Sequence, residues 1–193
     1  MTPIDELPMV ASSEPTAAPR AIAMAAAAVL LFGVVLRLLG MFSLELWSDE
    51  ARWCEHLLTG TGAWFRPIGY MWLTRQLLEI DINEPLLRSL STVAGLAQLP
   101  LVYVVLRNVV QRPLVAVVGT WLLAIHPVAV AMSKEFKPYA VEAMLHSALV
   151  AFALLYLRNK SPRWLAAVLT TAVVAPFFAW TVVFAYPGLF VVV

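Results

Sequence analysis

Cysteine is nearly absent from this chain, charge is scarce, and neither sign of charge prevails. The single thiol, Cys54, excludes an internal disulfide and is too little for a cysteine-based metal cluster. It falls on the apolar side of its segment, where a small buried thiol is the expected role. A formal net charge of +1 offers no electrostatic footprint for nucleic acid. Also missing are a glycine-rich phosphate loop, a nucleophile elbow and a Cys/His zinc pattern. The N-terminus lacks the marks of a signal peptide. Asp5, Glu6 and Glu14 face a single Arg20, and no small-residue cleavage site follows the apolar run. Residues 1–20, with Pro3, Pro8, Pro15 and Pro19, are expected to form a disordered cytoplasmic tail, and the first helix to stay as an anchor.

What fills the space left by charge is grease. Of 193 residues, 62% are hydrophobic and 13% charged, against about 45–50% and about 25% in a soluble domain. No soluble fold of this size has an interior for the excess, so lipid is the expected solvent for much of the surface. Five stretches meet or approach the ~20 apolar residues of a spanning helix: Ala21–Met41, Leu86–Leu106, Leu114–Met132, Tyr139–Leu157 and Trp164–Val193. The last is long for one span and holds Pro176 and "YPG", so a kink or a break is expected there. Pro67–Ile80 is short and amphipathic and reads as an interfacial helix. The sequence thus predicts an all-α, polytopic helix bundle over residues 21–193. "RNVVQRP" and "RNKSPR" carry bases and no acids, which places them on the cytoplasmic side with the N-terminus. Phe42–Pro85 and Ser133–Pro138 then lie outside, with every acid beyond the N-terminal tail.

Those outer segments hold the candidate chemistry. In "LWSDEARWCEHLL", Ser48 suits a helix N-cap, and Asp49 and Glu50 suit a first turn, where the helix dipole favours anions. Helical spacing puts Trp47, Ala51, Cys54, Leu57 and Leu58 on one arc, and Asp49, Arg52, Glu55 and His56 on the opposite one, bordered by Trp53. An ordinary amphipathic helix with solvated charges would show the same pattern. Two further groups favour a reactive surface. "GAWFRP" returns Arg66 to this interface, and "SKEFKPYAVEAM" adds Lys134, Glu135, Lys137, Tyr139 and Glu142. Fixed cations, a carboxylate for proton transfer and apolar walls are what a membrane-embedded phosphate ester requires. Arg37 and Arg88, at the outer ends of the first two spans, are expected either to serve function or to snorkel. His126 and His146 are isolated, and a structural hydrogen bond is the expected role of each.

The same segments resemble a known superfamily. "WSDEARWCEHL" resembles the first-loop Asp-Glu motif of the GT-C glycosyltransferases, which include protein O-mannosyltransferases, aminoarabinose transferases and the RgtA/B/C/D-like group. "RPIGYMWL" resembles the Lys-Pro-Pro/Ile stretch of aminoarabinose transferases, and "LLRSLSTVAGLAQLPLVYVVLRNV" the Arg-x-x-Ser start of the next span. "HPVAVAMSKEFKPYAVEAML" resembles the Ser-Gln-Glu-x-Arg-Pro-Tyr motif of RgtA-like proteins. The four segments, in order, cover Leu36 to about Leu157.

The resemblance implies a multi-pass enzyme of a bacterial cytoplasmic membrane. It would move a sugar from a polyprenyl-phosphate donor to a glycan, lipid or protein acceptor on the outer face, inverting the anomeric centre. It implies Asp49 as general base and Glu50 as an orienting acid. Arg52, Arg66 and Lys137 would bind the donor phosphate, and His56, Glu135, Tyr139 and Glu142 would line the substrate. Lys137 stands where the family has arginine, Lys134 replaces a glutamine, and Phe136 replaces a small residue. The family continues for several spans beyond the point matching "FVVV", so this chain is expected to be either its N-terminal part or a truncated homologue. Lacking a glycine-rich loop, the site favours a lipid-linked over a nucleotide-sugar donor. A divalent cation shared by Asp49 and Glu142 and an ion-free site neutralised by Arg and Lys both fit these residues. The alternative to an enzyme is a non-catalytic membrane subunit or transporter fragment, for which a broken fifth helix at Pro176 and Pro187 would be the relevant feature.

Overall fold

Pro19, Asn83, Pro113 and Pro162 each sit at or beside the start of a helix, and they divide the chain as it folds. The structure is a computed structural model that describes residues 19–39, 48–60 and 67–188. Among these every regular element is helical: α1 (Pro19–Leu38), α2 (Ser48–Thr59), α3 (Ile68–Ile80), α4 (Glu84–Val110), α5 (Pro113–Ile125), α6 (Pro127–Met132), α7 (Tyr139–Asn159), α8 (Pro162–Phe178) and a 3-10 turn (Trp180–Ala185). The expected tail over residues 1–18 lies outside the described residues.

Among the described residues three helices are long and apolar enough to cross a membrane: Arg20–Leu38, Glu84–Val110 and Tyr139–Asn159. Local signals explain the bounds of the latter two. The Asn83 side chain accepts from the Leu86 N–H at 2.8 Å and caps α4, with Pro85 in its first turn. Gln111 (φ 57°) and Lys160 (φ 49°) turn left-handed at the ends of α4 and α7, and a proline two residues later opens each following helix.

Of the other two expected spans, one requires correction and one breaks as expected. Leu114–Met132 is not continuous. Pro127 disfavours helical backbone at the residue before it, so His126 is extended (φ −61°, ψ 119°) and separates α5 from α6. Its Nδ1 instead accepts the Ala129 N–H at 3.4 Å, capping α6. At 1.5 Å per residue, α5 alone is about 20 Å long, short of the ~30 Å hydrocarbon layer. Trp164–Val193 breaks as well. α8 runs two residues past Pro176, Ala179 is extended, and the 3-10 turn follows.

α4 is the central helix, packed on α7, α5 and α1, while α8 packs on the far side of α7. The faces that meet are small: Ser91, Ala94 and Gly95 on α4, Ala140, Ala148, Ala151 and Ala153 on α7, all buried. Without side-chain bulk, backbones approach closely, as helices in lipid require. A Cβ at Gly95 would stand 2.5 Å from Ser133 Cβ and 3.4 Å from Arg37 Nε. One at Gly33 would meet the movable tip of Leu99 at 2.6 Å. Gly95→Ala should therefore cost about 1–3 kcal/mol by overpacking, and Gly33→Ala less. Thermal unfolding of the two variants in detergent micelles tests that order.

Candidate functional site

α2 and α3 pack at the N-terminal end of α4, beside the turn from Ser133 to Pro138 that leads into α7. This end of the bundle collects most of the charge the sequence singled out. Glu50, in the first turn of α2, is fully buried. Arg88 of α4 grips it with two bonds, Nη2 to Oε2 at 2.6 Å and Nε to Oε1 at 3.3 Å. The Phe136 N–H donates to Oε1 at 2.5 Å. One carboxylate thereby ties α2, α4 and the 133–138 turn together. Planar arginine is suited to this, since its fork matches both carboxylate oxygens.

That turn is held from α4 as well. Ser91 Oγ donates to the Lys137 carbonyl at 2.7 Å, and Thr92 Oγ1 to the Ser133 carbonyl at 2.9 Å. Beneath it, Trp53 meets Tyr70 and Phe136 edge-on, with centroids 5.9 and 6.4 Å apart. Tyr70 is fully buried with its hydroxyl 3.4 Å from Ser91 Oγ, and burial pushes its phenol well above the usual range. Cys54 is half-buried against the Leu57, Leu78, Leu87 and Phe136 cluster. Burial, helped by the charges of Glu50 and Glu84, raises its thiol pKa, which makes it a poor nucleophile.

Above this frame the Lys137 ammonium forms an ion pair and hydrogen bond with Asp49 Oδ2. The lysine side chain is 7% exposed and the aspartate's 45%, so the carboxylate opens to the outside while the cation is nearly enclosed. Tyr139 lies 5.6 Å from Nζ, ring to cation. Burial acts to lower the Lys137 pKa, but the Asp49 hydrogen bond and the charges of Tyr139, Asp49 and Glu135 outweigh it, and the value is raised. Lys137 is thus a cation at any neutral pH.

The structure brings Asp49 and Lys137 into contact across 88 residues of chain, with Glu50, Glu135 and Tyr139 beside them. Arg52 is exposed and His56 half-buried farther along α2. Glu142 is half-buried one turn into α7, and its carbonyl meets His146 Nδ1 at 2.8 Å. Arg66 lies outside the described residues. Among the described residues no three or more His, Cys, Asp or Glu side chains gather as a metal site would require. The Asp49 carboxylate already neutralises a lysine, so a shared cation with Glu142 has no support in this donor set.

Snorkelling fails for both membrane-edge arginines, which are 0% (Arg37) and 2% (Arg88) exposed. Arg37 Nη1 donates to the Gly33 and Ala124 carbonyls, each at 3.2 Å, the latter at the end of α5 where Pro127 has interrupted the helix. Its Nε and Nη2 have no partner among the described residues. Lys134 donates to the Leu39 carbonyl at 2.6 Å, and burial together with the charge of Arg37 lowers its pKa. Sequence reasoning weighed Arg88 for function without naming its partner, and left Ser91, Tyr70 and Trp53 out of the site. The available signals were Arg88, since an arginine within a mostly apolar helix needs a carboxylate, and Glu50, which helical spacing places on the apolar arc of α2 between Leu57 and Cys54.

Set against protein-family profiles, curated proteins and solved structures, the chain matches none of them.

Proposed function

We propose that this chain is a GT-C-like membrane glycosyltransferase, which moves a sugar from a polyprenyl-phosphate donor to an acceptor at the membrane face bearing Asp49. The observation that supports it is the Asp49–Lys137 pair, an accessible carboxylate against an enclosed ammonium, seated on the buried Glu50–Arg88 brace. In this reading the acceptor hydroxyl gives its proton to Asp49 as its oxygen bonds to the anomeric carbon. The bond from that carbon to the phosphate oxygen breaks on the opposite face, and the lipid phosphate leaves with the electron pair. The configuration inverts. Lys137 offsets the phosphate charge, with Arg52 and Arg66 as further cations. Glu50 fixes the start of α2 and so aims Asp49, while Glu135, Tyr139, His56 and Glu142 border the space for sugar and acceptor.

The reading includes multi-pass insertion in a bacterial cytoplasmic membrane, with the N-terminus inside and the site outside. Its test is transfer of a radiolabelled sugar from a polyprenyl-phosphate carrier in membranes containing the longest native reading frame or its Asp49→Asn variant. Transfer by the native protein and its loss in the variant are expected; equal turnover by the two removes Asp49 as base. A second reading, a non-catalytic subunit or transporter fragment, draws on the breaks at His126 and Ala179. It predicts no transfer from any lipid-linked donor.

A further inference from the structure

At the opposite end of the bundle the C-termini of α4 and α7 enclose a cleft of about 490 Å³, lined by Arg107, Asn108, Gln111, Leu154, Leu157 and Arg158. Each arginine is pinned through one nitrogen, Arg158 Nη1 on Asn108 Oδ1 at 3.0 Å and Arg107 Nη1 on the Gln111 carbonyl at 2.8 Å. A guanidinium has five N–H donors in a rigid fork, so both keep donors for another ligand. No carboxylate lines the cleft, and the flanking loops 107–113 and 158–163 hold five cations and no acid. Helix C-termini favour cations in their last turn, yet that effect does not favour bringing two guanidinium groups to one hollow. Like charges converge stably where a counterion joins them.

Position identifies the counterion. Arg107 lies 19 residues along α4 from Arg88, or about 28 Å at 1.5 Å per residue. The hydrocarbon core is ~30 Å thick. If Arg88 marks one headgroup level, the cleft stands at the other, with Leu154 and Leu157 as an apolar wall beside the cationic rim. Lys160 over Tyr156 and Arg163 over Trp164, at 5.1 and 5.2 Å, have the cation-and-aromatic character of a membrane boundary.

We propose that this cleft is a binding site for an anionic phospholipid of the leaflet opposite the Asp49 site. Arg107 and Arg158 clasp the headgroup phosphodiester, Asn108 and Gln111 bond its glycerol oxygens, and the acyl chain follows Leu154 and Leu157. The proposal needs α4 to cross the bilayer and does not depend on the transfer reaction.

The full chain, purified in detergent, is titrated with phosphatidylglycerol, phosphatidylcholine or inorganic phosphate, and bound lipid is read by native mass spectrometry. Phosphatidylglycerol should bind in preference to phosphatidylcholine, whose choline cation meets the arginines. A cation near an anionic headgroup is worth about fivefold in affinity, so Arg107→Gln with Arg158→Gln should weaken binding by about 30-fold. Arg112→Gln with Arg163→Gln removes the same charge from outside the cleft and should leave most of the affinity. Equal losses in the two double variants would show smeared surface charge and overturn the site. So would equal binding of the two lipids by the native chain, or displacement of the lipid by millimolar inorganic phosphate.

Discussion

Glu50→Gln should destabilise the protein by about 3–5 kcal/mol, because it removes the carboxylate charge that the buried Arg88 guanidinium is paired with. Glutamine keeps an oxygen for the Phe136 N–H, so the loss isolates the charge from the hydrogen bond. Arg88→Met should cost a similar amount by stranding the carboxylate. The double variant Glu50→Leu with Arg88→Met tells whether the two form a closed unit. Desolvating an ion pair often offsets most of its attraction, and apolar replacement of both partners is frequently near neutral. Here the Phe136 N–H would still lose its acceptor, an expense of about 1–3 kcal/mol. The double variant should therefore melt above either single variant and below the native protein. Unfolding in mild detergent measures all four. A near-native Glu50→Gln would mean the pair is not the brace described.

The second large effect is on chemistry. If Asp49 is the base, Asp49→Asn should lower kcat by about 10²–10⁴-fold, the usual range for a positioned proton acceptor. The fold should survive, since Glu50 and not Asp49 carries the buried bonds. KM for the lipid donor should stay level or fall, because the Asp49 charge no longer competes with phosphate for Lys137. Lys137→Met should show the converse, a raised KM for the donor with a smaller change in kcat. A purely structural pair would lower folded yield in both variants and leave this split unseen.

The same pair has a pH signature. Lys137 has a raised pKa in the fold, so the folded state holds its proton more tightly than the unfolded chain. The resulting stabilisation is complete below lysine's ordinary 10.5 and is lost as pH rises from there through the folded value. Lys134, with its lowered pKa, acts in the opposite sense below 10.5. Comparing native protein with Lys137→Met across alkaline pH separates them: the native advantage should shrink above about pH 10.5 and hold level below it.

Much of the frame was legible because its signals are local. α2 begins at Ser48 and α3 runs from Ile68 to Ile80, as capping and amphipathic spacing indicate. The spans of α4 and α7 follow from apolar length. The break at His126 was missed because hydrophobicity continues across it unchanged; backbone geometry before Pro127, not polarity, stops the helix. Long-range pairings were legible only by chemical type. Asp49 and Lys137 could be named as an acid and a cation suited to one site. The Glu50–Arg88 bond, 38 residues apart, depends on which way the first turn of α2 faces when it lands on α4. Periodicity turns Glu50 to the apolar side of α2 but does not name the partner it meets there. Arg37 shows the same gap, since its carbonyl partner on α5 exists only where Pro127 has cut the helix.

The 133–138 turn is stitched through its backbone at three points, to Glu50, Ser91 and Thr92, and through the Lys134 side chain to Leu39. A backbone tethered so often has little play, so a visiting anion cannot draw Lys137 toward it by dragging the loop. The slack resides in the methylene stem of the lysine alone. Reach and release at this position become a matter of rotamers in place of a hinge.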